Sequence, residues 1–294
     1  MRVSERMIYD NVMRNAGAAR SRVEDASNVA STGLRVSRAS DDPAAAAELA
    51  TRRQALSRAD AIADATGRAS DELDAADGAL NTVTTSLARA REIAVQFSNA
   101  TYSATDRAGV ATEVDQLGQQ IIAALNQQVG NRYIFGGSID DRPPFDTSGN
   151  YLGDAQTRKV EIAPCVLQDA SVRADVASKG ANGGVDVLSM LKSLSTALQT
   201  NDVAALQSSL DTIASATAQV SAARTQVGAT QNTLSDAQAV AKSASTLEKT
   251  AISRAGDADS IDAASQLALA QRALQASLDS GAQTFQFSLL DILK

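Results

Sequence analysis

Residues 206–244 read LQSSLDTIASATAQVSAARTQVGATQNTLSDAQAVAKSA. Within them Leu206, Ile213, Ala216, Val220, Ala223, Val227, Thr230, Leu234, Ala237, Ala241 and Ala244 recur by threes, fours and sevens. That period lays one narrow stripe along an α-helix and fits no strand. Sustained this long, it favours helices packed side by side in coiled-coil fashion over a bundle of mixed crossing angles. Alanine at many stripe positions calls for close approach of the partner helix.

Beyond a break at Gly256-Asp257, a last helix is expected over roughly 258–292. Leu267, Leu274, Leu278, Phe285 and Ile292 keep a seven-residue frame along it, with Leu289 beside them. At the other end of the chain Tyr9, Val12, Ala16, Ala19, Val23, Ala26 and Ala30 form a matching stripe. It predicts a helix over about 4–31, closed near Ser31-Thr32-Gly33 with Gly33 in the left-handed cap conformation. A lone stripe on an otherwise polar helix needs a partner, and two such helices alone make a thin core. The two terminal stripes are therefore candidate assembly surfaces, carried by Val12, Ala16, Ala19, Val23, Leu267, Leu274, Leu278, Phe285, Leu289 and Ile292.

After the loop from Leu34 to Ser40, either Ser40 or Asp41 is placed to cap a new helix with Pro43 in its first turn. Its stripe runs Ile62, Thr66, Ala69, Leu73, Ala76, Leu80, Val83, Leu87, Ala90, Ala94, Phe97. Gly67 and Gly78 weaken it locally. A turn over 98–103 leads to a third helix with Val110, Val114, Leu117, Ile121 and Ala124 inward. The character changes at Gly130: eight of the 17 glycines and three of the four prolines fall within 130–184. Tyr133, Phe135, Phe145 and Tyr151 fall there too. Strand-like alternation shows at Val160, Ile162 and Val166 and again at Val172, Ala174 and Val176. Residues 145–151 read as a hairpin turning at Ser148-Gly149-Asn150. A short helix follows from Asp186, with Val187, Leu188, Leu191, Leu194 and Leu198, ending at Thr200-Asn201-Asp202.

The expected fold is mainly α: long heptad-patterned helices in a rod-like bundle formed by both chain halves, with a small β-rich inserted domain that holds its own aromatics. The expected divisions are an N-terminal assembly helix (1–38), the first half of the helical rod (39–129), a β-rich outer domain (130–184), the second half of the rod (185–256) and a C-terminal assembly helix (257–294).

Composition removes several kinds of chemistry. With no His among 294 residues, a Ser–His–Asp triad is impossible. With one Cys besides, a zinc site is almost excluded and no internal disulfide can form. A formal net charge of −7 argues against nucleic acid as a partner. No run of 18 apolar residues exists, so no membrane-spanning helix is expected. Arg2, Glu5, Arg6, Asp10, Arg14 and Arg20 interrupt the first twenty residues, which is no signal-peptide core. A cytoplasmic chain, or one exported without a cleaved signal, is the expectation.

Each chemistry-like motif has a plain reading beside it. The acidic pair in Ser40-Asp41-Asp42-Pro43 reads as a helix cap before it reads as a metal ligand. Asp140-Asp141, Asp146, Asn150 and Asp154 resemble a calcium loop, but Tyr151 stands where the EF-hand pattern needs Gly. Gly136-Gly137 lacks the following Gly-Lys-Ser/Thr of a phosphate loop and reads as a tight turn. Cys165 beside Pro164 reads as a small buried strand residue and Arg52-Arg53 as a solvated helix face.

These strings also carry a family resemblance. Ala30-Ser-Thr-Gly-Leu-Arg-Val-Ser37, followed by Ser40-Asp41-Asp42-Pro43, resembles the N-terminal signature of the flagellin superfamily. Arg224-Thr-Gln-Val-Gly-Ala229 and the end from Asp259 through Leu267, Leu274 and Leu289-Leu290 resemble its C-terminal signature. Asn131-Arg-Tyr133-Ile-Phe135-Gly136-Gly137 with the later Pro144-Phe145 is similar to the hook-associated protein 3 branch, as is Asp186-Val-Leu188 with Leu191, Leu194 and Leu198. Pro43 stands where flagellin proper usually has Ala.

The resemblance implies a non-enzymatic adaptor without cofactor, placed extracellularly in the bacterial flagellum. Its implied partners are hook-associated protein 1, flagellin, copies of itself in a ring and an export chaperone, with type III export in place of a cleaved signal. A filament-forming flagellin is the first alternative. A secreted hydrolase or binding module built on 130–184 is the second, and it needs convergent acids or a nucleophile–base pair.

Overall fold

A computed structural model describes the backbone of residues 2–99 and 102–292 and the side chains of residues 7, 9–99 and 102–283. It contains seven helices and four short strands among the described residues. The helices are α1 (Arg2–Thr32), α2 (Pro43–Phe97), α3 (Ala104–Leu125), α4 (Ala174–Ala177), α5 (Val187–Gln199), α6 (Val203–Gly256) and α7 (Ser260–Ile292). The strands are β1 (Gln128–Val129), β2 (Arg132–Tyr133), β3 (Lys159–Ala163) and β4 (Val166–Asp169). The fold is mainly α with a small β portion. The chain forms two compact units, residues 1–58 with 244–294 and residues 59–243. Each draws on both halves of the chain, because α2 and α6 contribute to both units.

In the 59–243 unit, the stripes predicted on α2 and α6 are the core. Leu80, Val83, Leu87, Ala90 and Ala94 lie buried with Leu206, Ile213, Ala216, Val220 and Leu234. Gly67 does not interrupt α2; a Cβ there would meet Gln238 Nε2 at 2.7 Å, so the glycine leaves room for the Gln238 side chain of α6. Polar bonds fix the register. Arg224 forks onto Asp77 (2.8 and 3.0 Å) and reaches Asn81 at 3.0 Å, and Gln231 donates to Asp74 at 2.6 Å. A bidentate guanidinium–carboxylate pair adds direction as well as energy. α3 starts with a capping box, Ser103 and Asp106 serving each other's backbone N–H groups.

The middle segment departs from expectation in three places. Its apolar residues join the helical core instead of forming one of their own: Ile134, Phe135, Phe145, Ala170, Val172, Ala174 and Ala177 belong to the same buried cluster as α2, α3, α5 and α6. The four strands make two separate two-stranded pairs, β1–β2 and β3–β4, and too little strand is present to bury a face of its own. The second predicted strand is absent: Ala174–Ala177 is the short helix α4. Alternation over five residues is a weak signal, and a local helical turn buries Ala174 and Ala177 equally well. Cys165 is exposed at the β3–β4 turn with φ of 64°, and its backbone N–H donates to Glu161 Oε1 at 3.0 Å. Pro164 ends the strand there, so the residue after it turns instead of packing.

The 145–151 hairpin is present, with Phe145 bridged to Tyr151. Asp146 holds its turn by accepting from the backbone N–H groups of Ser148 and Asn150, at 2.9 and 2.8 Å.

Candidate assembly interface

In the other unit α1 and α7 pack against each other. They run antiparallel: Gly33 at the end of α1 accepts from Ala258 N at 2.8 Å, and a Cβ on Gly281 would meet Val12 Cγ1 at 2.8 Å. The α1 stripe facing inward is Val12, Ala16, Ala19, Val23, Ala26 and Val29. Val29 takes the place expected for Ala30, which is exposed. On α7 the inward residues are Ala263, Leu267, Ala270, Leu274, Ser277 and Gly281. Only Ala19, Ala263 and Gly281 of these are fully buried. Small side chains bring the two helices close, and the pair has little apolar volume between them.

Leu278 does not share that seam. Ser277 turns inward, while Leu278 is 55% exposed. Met7, Tyr9, Met13, Ile261 and Leu269 are at least half exposed as well. Of the predicted interface residues, Val12, Ala16, Ala19, Val23, Leu267 and Leu274 therefore line the seam within the chain, and Leu278 is exposed. The side chains of Phe285, Leu289 and Ile292 lie outside the described residues.

The pair is joined to α2 and α6 by an elbow built from the Leu34–Pro43 string. Gly33 takes φ of 69°, as its cap position requires. Leu34 bridges Asp257, and Arg35 N donates to Gly256 O at 2.7 Å. The Arg35 guanidinium donates to Ala255 O at 2.7 Å and pairs with Asp42 at 3.1 Å. One cation thus meets the carbonyl end of α6 and the residue capping α2, a favourable site for positive charge.

The α2 cap itself is Asp42, not Ser40 or Asp41: Asp42 Oδ1 accepts from Ala45 N at 3.0 Å. Asp41 instead closes the preceding turn, accepting from Ser37 N and Arg38 N. Both carboxyls are held below the usual range. For Asp41 the first cause is the Arg38 backbone bond, and for Asp42 the Ala45 bond followed by the Arg35 side chain. Spacing alone left this choice open by one or two residues. Nearby, Arg52 is not simply solvated; it pairs with Glu248 of α6 at 3.3 Å and with Glu48 at 3.5 Å.

The motif from Asn131 to Gly137 belongs to the 59–243 unit. Asn131 follows Gly130 in the turn of the β1–β2 hairpin, and Tyr133 pairs with Gln128. Phe135 is fully buried. Both glycines are sterically required: a Cβ on Gly136 would strike Ile139 O at 1.9 Å and one on Gly137 would strike Asp154 Oδ1 at 2.0 Å. The motif is a turn held by Asp154, which accepts from Ser138 N at 2.8 Å. The Tyr151 hydroxyl lies 2.9 Å from Asp154 O, and burial pushes its pKa up to about 12. Among the described residues no group of three or more His, Cys, Asp or Glu could hold a metal ion. Sequence reading missed Asn126, which ends α3 and both donates to and accepts from the Phe145 backbone at 2.9 Å. An Asn just past a helical stripe was the available signal.

Residues 3–140 match the family of the bacterial flagellin N-terminal helical region. The first part of the chain is thus similar to the N-terminal region of flagellins. Among its relatives, flagellar hook-associated protein 3 of Escherichia coli is 34% identical over 164 residues, covering 55% of this chain and 52% of that protein. The protein of the same name from Salmonella typhimurium is 33% identical over 167 residues, covering 55% and 53%. The chain spans about half the length of the curated relatives it matches. A crystal structure of Xanthomonas campestris FlgL shares the fold, with a TM-score of 0.62 over 69% of this chain and 99% of that one at 20% identity. The N-terminal match takes in α1, the elbow and the Asn131–Gly137 turn together.

Proposed function

We propose that the chain is a structural adaptor of the bacterial flagellum, joining the hook side to the flagellin filament through coiled-coil packing of α1 and α7. The observation that carries this is the thin antiparallel pair, whose outer faces present Met7, Met13, Ile261, Leu269 and Leu278 to solvent. A two-helix layer with apolar residues on its outside gains stability when neighbours add to it. The relatives named hook-associated protein 3 support the junction over the filament itself. The proposed partners are hook-associated protein 1 on one side, flagellin on the other, copies of the chain in a ring, and a chaperone before export. The place of action is extracellular.

The role is mechanical, without catalysis or cofactor. The acids that could have served a hydrolase, Asp146 and Asp154, are occupied as acceptors, and their carboxyls are lowered first by the Asn150 and Ser138 side chains and then by backbone N–H groups. A filament-forming flagellin stays as the second reading, because the matched N-terminal region is one that flagellins carry. Electron microscopy of the pure protein under polymerising conditions separates the two. An adaptor gives no long filaments alone and restores filament growth on hooks lacking the native junction protein. Long filaments from the pure chain would establish the flagellin reading.

A further inference from the structure

A second feature of the 59–243 unit has no part in coiled-coil packing. Arg68 and Glu72 of α2, Arg132 of β2, and Arg158 and Lys159 at β3 line a cavity of about 320 Å³. Among the lining residues three guanidinium groups and one ammonium face one carboxylate, and Asp140 and Asp169 meet two of these cations from outside the lining. The chain as a whole carries −7, so this cationic excess runs against the general charge. Glu72 is engaged by Arg158, whose Nη1 lies 3.3 Å from Oε1 and whose Nη2 bonds Oε2, and Arg132 stands 3.9 Å away. Asp140 takes Arg132 Nε at 2.5 Å. Asp169 lies 3.9 Å from the Lys159 ammonium. Arg68 makes no ion pair among the described residues and is exposed. Arg158 and Glu72 are mostly buried, at 19% and 16% side-chain exposure, so one wall of the cavity is fixed. The cavity thus combines a rigid Arg–Glu wall, an unpaired guanidinium and a loosely held ammonium.

We propose that this cavity is an oxyanion-binding site, taking a phosphate- or carboxylate-type group between Arg68 and Lys159. Guanidinium N–H groups in a fixed fork match the oxygens of such groups, and the concave wall raises the local field. The anion is either a free ion or an acidic side chain of an adjoining polypeptide.

The test is calorimetric titration of the full-length chain at constant ionic strength. Inorganic phosphate serves in one arm and a tetraglutamate peptide in the other. Saturable binding of either probe is expected, weakened at least tenfold in both Arg68→Glu and Lys159→Glu. Lys249→Glu makes the same charge change elsewhere and should leave binding intact. Binding of phosphate identifies a free-ion site; binding of the peptide alone identifies a side-chain site. The proposal is overturned if neither probe saturates, if the two pocket variants bind as the parent does, or if Lys249→Glu weakens binding equally.

Discussion

Arg107 on α3 donates its Nε hydrogen to the backbone oxygen of Phe97, the last residue of α2, at 2.9 Å. Its two other nitrogens reach Asn99 O at 2.7 Å and the Asn201 side chain in the α5–α6 turn. The residue is 3% exposed. No carboxylate balances it in these bonds; the carbonyl end of α2 does, through its negative partial charge. Arg107→Met would leave three acceptors without their donor in a buried place. The expected loss is about 3 kcal/mol, read as a lower thermal midpoint, with Arg107→Lys recovering only part. An unchanged midpoint would mean that water replaces the guanidinium freely.

The elbow prediction concerns Arg35. Arg35→Ala removes the links to Ala255 O and Asp42 while leaving the Gly33–Ala258 backbone bond. Hydrogen exchange in α1 and α7 should rise several-fold, since that pair has little core of its own. Exchange in α3 and α5 should not change. Equal acceleration in all four helices would show that the elbow is not a local joint.

Leu278→Asp tests the assembly surface directly. Leu278 is exposed within the chain, so the substitution should change monomer stability by less than about 0.5 kcal/mol. In an assembly that covers Leu278, a buried unpaired carboxylate costs several kcal/mol, and motility should be lost. Retained motility would remove Leu278 from the interface.

Phe145 gives the measure of the middle segment. It is 1% exposed, stacks near Tyr151 at 5.2 Å between ring centroids and lies in the same cluster as Leu194 and Ile121. Phe145→Ala should cost about 3–5 kcal/mol, and deleting 138–182 should lower the melting temperature of the helical part. A helical melt untouched by the deletion would restore the picture of a segment with a core of its own.

Acid should loosen the structure through particular carboxylates. At Asp186 burial raises the pKa, but bonds from the Lys179 ammonium and from Ser189 outweigh it, and the net shift is downward. Asp42 is lowered by the Ala45 N–H and by Arg35. A carboxyl depressed in the folded state contributes stability above its unfolded pKa of about 4, and that contribution is lost as pH falls through the folded value. The thermal midpoint should therefore hold from pH 7 to about pH 5 and fall below about pH 4. Asp186→Asn should lower the neutral-pH midpoint and flatten that acid limb. A parallel acid limb in the variant would assign the loss to other groups.

The sequence by itself determined the long helices. A stripe repeated over dozens of residues, as from Leu206 to Ala244, admits only one secondary structure, because only a helix puts all of it on one face. It determined the Gly33 cap, the start of α5 near Asp186 and the 145–151 turn, each of which follows from one residue's backbone preference or short side chain. Tertiary structure alone decided the rest. That Asp42 caps α2, where Ser40 or Asp41 was expected, shows only in the fold, where Arg35 joins Asp42 to the end of α6. Whether Leu278 or Ser277 faces α1 depended on the approach fixed by Gly281 against Val12. The basic cavity gathers Arg68, Arg132 and Arg158 from stretches whose sequence neighbours give no sign of one another. Local preference is written residue by residue, whereas charge and packing depend on distances that exist only once the chain has folded.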